Sequence, residues 1–88
     1  MPELPVATCR EHVKAFLELH WTLYAKKTAP KYGTYLILEH PDVPWFLQIP
    51  CPSDEAVLDP VLIRQLIRAA QVTEEQFLRA FRRANSQR

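Results

Sequence analysis

The sequence predicts an α+β two-layer sandwich whose elements run helix, three antiparallel strands, helix and short helix. Three observations carry that prediction. Apolar residues recur at helical spacing near both ends of the chain and at a spacing of two in the middle. Capping signals stand ahead of each helical stretch. The links between the middle stretches are too short for parallel crossovers, which leaves an antiparallel meander. A lone three-stranded sheet cannot bury both faces, so the helices are expected on one side, with the other left in water.

Residues 1–8, punctuated by Pro2 and Pro5, read as a flexible lead-in; one domain follows over 9–84, and 85–88 are expected to fray. Thr8-x-x-Glu11 is a capping box, in which hydroxyl and carboxylate satisfy amides that the first helical turn leaves open. The helix it starts runs over 9–19, with Val13, Phe16, Leu17 and His20 along the apolar face. From Trp21 the period becomes two: Trp21, Leu23 and Ala25 alternate with Thr22, Tyr24 and Lys26, as in a half-buried strand.

Ala29-Pro30-Lys31 is a turn, and Tyr32 to Glu39 reads as the second strand. His40-Pro41-Asp42-Val43-Pro44 reads as another turn, because two prolines so close are not expected inside a sheet. Trp45 to Ile49 is the third strand, stopped by Pro50-Cys51-Pro52. Asp59-Pro60 pairs an N-cap carboxylate with a proline at the first helical position, where its missing donor costs nothing. Leu62, Ile63, Leu66, Ile67 and Ala70 form that helix's apolar face. Thr73-x-x-Gln76 is a second capping box, followed by Phe77, Leu78, Phe81 and Ala84 on a short last helix.

Composition excludes several function classes. A chain of 88 residues supports one modest core and no separate cofactor domain. Its single glycine, Gly33, rules out glycine-rich phosphate loops. No apolar run is long enough to span a membrane. Cys9 and Cys51 are too far apart in sequence for a local metal knuckle, and no signal-peptide pattern precedes them. Two free thiols in a reducing, cytoplasmic compartment are therefore expected. The net charge is +1 but unevenly spread: Lys26, Lys27 and Lys31 cluster, residues 39–59 carry acids and no Lys or Arg, and the arginines gather after residue 60. A dedicated nucleic-acid binder carries a larger basic excess, so local basic patches are the remaining route to phosphate.

Several short motifs are spread along this order of elements. They are Gly33-Thr34-Tyr35 on the second strand, Glu39-His40-Pro41-Asp42 in the next turn and Gln48-Ile49-Pro50 ending the third strand. Asp59-Pro60, Gln65-Leu66-Ile67-Arg68 and Val72-Thr73-Glu74-Glu75 follow across the last two helices. Taken with the order of elements, these motifs resemble HicA-type toxins, and the similarity covers residues 9–80. The resemblance implies a fold like the double-stranded-RNA-binding domain (dsRBD-like), with an extra short C-terminal helix. It also implies a small cytoplasmic endoribonuclease that cleaves messenger RNA without metal or other cofactor and is held by a HicB-type antitoxin.

The family carries Gly-Ser-His where this chain has Gly33-Thr34-Tyr35, so a tyrosine stands at the histidine position. Metal-free RNA cleavage needs one group to take the 2′-hydroxyl proton and another to protonate the leaving oxygen. Imidazole titrates near neutrality, whereas a phenol titrates at about 10. The resemblance thus implies an RNA-binding protein with weakened or lost cleavage, and leaves enzymatic activity open.

Tyr35 and His40 are the candidate catalytic residues. Lys26, Lys27 and Lys31, with Arg64 and Arg68 at i, i+4 on one helix, are the candidates for binding RNA or a protein partner; Arg79, Arg82 and Arg83 form a further cluster. Against each stands an ordinary solvated surface. No metal site is expected from the spacing of His, Cys and carboxylates. Trp21, Tyr24, Tyr35 and Trp45 divide between the packed and open sheet faces, and those left open can stack on bases or dock a protein. The competing reading is a non-enzymatic adaptor that keeps the fold and docks on a protein complex.

Overall fold

The structure, a computed structural model, describes residues 4–31 and 33–86. The elements are α1 (Cys9–Glu18), β1 (Thr22–Ala29), β2 (Gly33–His40), β3 (Val43–Pro50), α2 (Pro60–Ala69) and α3 (Glu74–Asn85). The strands form one antiparallel sheet in the order β1-β2-β3. The α+β class and the α-β-β-β-α-α order are as the periodicities indicate. The last helix is not short: at 12 residues α3 is the longest, and Asn85 anchors its end by donating to the Glu11 and Phe81 carbonyls at 3.1 and 3.0 Å.

All three helix starts follow their local signals. The Thr8 hydroxyl accepts from the Glu11 amide while the Glu11 carboxylate accepts from the Thr8 amide, and Thr73 and Gln76 repeat the pattern. The Asp59 carboxylate accepts from the Val61 amide at 2.8 Å. Hydrogen bonds from the Thr8 amide, then from its hydroxyl, hold the Glu11 carboxyl below the usual carboxylate range. Two helix ends share a device the spacing does not announce. His20 and Gln71 take left-handed φ of 74° and 61° just past α1 and α2. Trp21 then donates back to the Phe16 carbonyl at 3.1 Å and Val72 to that of Ile67 at 3.4 Å, closing a Schellman-type C-cap. His20 therefore caps α1 rather than ending its apolar face.

Leu36 pairs with Ile49 and Leu38 with Leu47 across β2 and β3, so these four share one sheet face. That face packs under the helices with Phe16, Trp21, Ile63, Ile67 and Phe77. The buried side of α1 is Cys9, His12, Ala15 and Phe16, shifted from the Val13–Leu17 face that hydropathy suggests; Leu17 is exposed. Pro44 lies inside β3 rather than in a turn, leaving only Pro41 and Asp42 between the strands. An edge strand tolerates this, because one side of its backbone has no ladder partner to lose. In the lead-in, Leu4 and Ala7 are buried and Thr8 bridges to Val57. Residues 1–3 of that lead-in, the Tyr32 start expected for the second strand and tail residues 87–88 lie outside the described residues.

The expectation of free thiols is corrected. Cys9 and Cys51 are joined in a disulfide with Cα atoms 5.8 Å apart, and no free cysteine remains. The two positions are distant in sequence, and only the folding of the sheet against α1 brings them within bonding reach.

Candidate binding face

The face of the sheet turned away from the helices carries an aromatic pair. Phe46 precedes the core residue Leu47 on β3, so alternation sends it to the open side. Tyr24 is the extra residue of a bulge in β1, where pairing slips between Leu23 and Ala25. The two rings lie 4.8 Å apart between centroids, although β1 and β3 flank β2 and run about 10 Å from each other. They therefore meet over the central strand. Ile37 lies there and is only 7% exposed on a face that has no helix, while Tyr24 and Phe46 stay 58% and 49% exposed.

Around this pair lie Tyr35, half-buried, and Lys27, its partner in the register; Pro50 and Gln48 complete the β3 side. Lys26 pairs with Leu36 and so lies on the other, helix-bearing face of β1, while Lys31 sits in the next turn; both are exposed. None of the three lysines makes an ion pair among the described residues. Glu39 lies at the far end of β2, so one end of the face is basic and the other acidic.

The two candidate catalytic residues are not brought together. Tyr35 and His40 stand toward opposite ends of β2, about 16 Å apart by strand rise. His40 plays a structural part instead. Its Nδ1 accepts the Asp42 amide at 3.0 Å across the β2–β3 turn, and its ring lies 5.2 Å from that of buried Trp21. The proposed basic rim is also divided. The lysines lie on the β1 side, whereas α2, with Arg64 and Arg68, is fastened beside β3, where the Trp45 indole donates to the Ala69 carbonyl at 2.7 Å. Arg64 is bound to Glu74 at 3.1 Å and joins α2 to α3. Arg79 and Arg83 are likewise held, by Glu75 and Glu18, each at 2.8 Å. Arg68 and Arg82 are exposed and make no ion pair among the described residues.

Two features escape a reading of local pattern. Phe46 sits in a run of apolar residues whose faces cannot be separated until the register is known. His12 is fully buried between α1 and α3, with Phe81 and Phe77 at ring distances of 5.5 and 5.9 Å, and neither ring nitrogen has a hydrogen-bond partner among the described residues. Burial pushes its pKa down to about 4, against a weaker opposing pull from Glu11.

Among the described residues no cluster of His, Cys, Asp or Glu is arranged to hold a metal ion, and no helix is long and apolar enough to cross a membrane. No family model matches the chain, and neither the curated proteins nor the solved structures include a match to it.

Proposed function

We propose that this protein binds RNA with unpaired bases on the open face of its sheet and does not cleave it. The observation that carries the reading is the exposed Tyr24–Phe46 pair on the same face as Lys27, with Lys31 in the turn that follows, both lysines free of ion pairs among the described residues. Aromatic rings on a sheet stack on unpaired bases of any sequence, and neighbouring lysines neutralise the phosphates between them. The resemblance to HicA-type toxins supports RNA as the ligand, a dsRBD-like relation among the elements and a HicB-type partner.

The separation of Tyr35 from His40 argues against cleavage by that pair, since an acid and a base must both reach one phosphodiester. No cofactor enters this reading. The test is a gel-shift titration with a short single-stranded RNA at low and high salt, with a cleavage lane alongside. Salt-sensitive binding with intact RNA is expected. Cleavage would restore the nuclease.

A protein-docking adaptor is the second reading. It is favoured by the net charge of only +1 and by the exposed Tyr24 and Phe46 rings, an apolar patch of the kind that docks a protein. Absence of RNA binding at low salt would favour it.

A further inference from the structure

The Cys9–Cys51 disulfide has no part in the RNA-binding reading, yet it occupies a distinctive place in the fold. Cys9 opens α1, and Cys51 is the residue after β3. Between Cys51 and the N-cap of α2 the chain forms no helix or strand and lies as a strap against the start of α1. Three backbone bonds tie it there: Cys9 to the Ala56 carbonyl at 2.7 Å, Arg10 to that of Asp54 at 3.1 Å, and Leu58 to that of Ala7 at 3.1 Å. The Arg10 guanidinium adds Asp54 at 3.2 Å and Glu55 at 3.6 Å, in pairs exposed enough to contribute little.

The strand pairings of the sheet and the Phe16–Phe77 contact of α1 with α3 are made without any residue of the strap. Cys9, Cys51 and Leu58 of the strap do belong to the core cluster, so the bond fastens the strap to α1 and to the side of the core it covers.

We infer that Cys9–Cys51 is a redox site at which a dithiol reductant unfastens the strap from α1 while the sheet and α3 stay folded. The reaction is thiol–disulfide exchange. One thiolate of the reductant attacks Sγ of Cys51, the sulfur of the less buried residue (5% against 0% exposed), and the S–S bond breaks. Cys9 leaves as a thiolate and takes up a proton. The second thiol of the reductant then attacks the mixed disulfide, releases Cys51 as a thiol and leaves the reductant as its own disulfide. Two electrons and two protons pass to the protein. Access comes from the strap itself: Pro52, Ser53, Asp54 and Glu55 are all exposed, so local opening there uncovers the sulfur without global unfolding.

The test is amide hydrogen exchange on the intact protein before and after dithiothreitol, with the two thiols counted by mass after alkylation. In the reduced protein the Cys9, Arg10 and Leu58 amides are expected to exchange at least tenfold faster, while the β2 amides keep their rates. The Cys9→Ser, Cys51→Ser double variant should show the same exchange pattern without reductant. Unchanged strap amides would overturn the inference, as would loss of protection throughout the sheet, since the bond would then be a staple for the whole fold. Two alkylatable thiols in the protein before reduction would overturn it as well.

Discussion

Tyr24 and Phe46 stand on strands that are not neighbours, yet their rings meet with centroids 4.8 Å apart over Ile37 of the strand between. The bulge at Tyr24 makes this possible by adding a residue to β1 and re-aiming its side chain. The pair thus roofs a buried isoleucine and offers an exposed surface at the same time. Phe46→Ala removes the roof: stability should fall by about 1–2 kcal/mol, from the lost ring contact and the partial uncovering of Ile37. Urea denaturation measures it, and an unchanged midpoint would show that the rings do not hold each other.

His12 sets an acid limit on the fold. Its folded pKa of about 4 lies below the ordinary 6.5, so on unfolding the ring takes up a proton that the folded state refuses. Its contribution is whole above pH 6.5 and is lost as pH falls from 6.5 toward 4. The full loss is about 3 kcal/mol. His12→Leu should flatten this part of the pH–stability curve. It should cost little at pH 7, because it also removes two buried nitrogens that lack partners among the described residues. An equal slope in the variant would place the titration elsewhere.

Gln71 caps α2 in the left-handed region at φ 61°, a conformation that costs a residue with a Cβ energy and costs glycine almost none. Gln71→Gly is expected to raise stability by up to about 1 kcal/mol. A loss of stability would mean that the side chain supports the cap in some other way.

The arginines of α2 differ in their consequences although they lie one turn apart. Arg64→Ala leaves the half-buried Glu74 without its partner at 3.1 Å and should destabilise by about 1–3 kcal/mol. Arg68→Ala, exposed and free of ion pairs among the described residues, should change stability by less than about 0.5 kcal/mol. Because α2 lies on the helical side of the sheet, the Arg68 change should also leave RNA affinity within about twofold. Thermal unfolding and a binding titration on the two variants check both statements.

What the sequence made legible was local. Thr8 with Glu11, Asp59 with Pro60, and Thr73 with Gln76 are each complete within one helical turn, and each starts a helix where it stands. The open sheet face followed from counting layers. What stayed hidden depended on distant partners. The Cys9–Cys51 bond needs the whole sheet in place, and the burial of His12 is decided by α3, at the other end of the chain. Pro44 misled because the rule against proline in sheets has its exception at edges, and edges are a property of topology. Tyr35 and His40 looked like partners because they are close in sequence; an extended strand is the conformation that keeps such residues farthest apart.

RNA binding by the open sheet face is tested most sharply by the affinity of a short single-stranded RNA for the wild type and for Tyr24→Ala and Phe46→Ala, followed by fluorescence anisotropy. With Lys27 and Lys31 engaged, wild-type affinity should fall roughly sevenfold between ~50 and ~200 mM salt. Each aromatic variant should bind about tenfold more weakly while keeping the same salt slope, since stacking is lost and phosphate contacts remain. Variants that bind as tightly as the wild type, or a wild type that does not bind at low salt, would contradict recognition through this face.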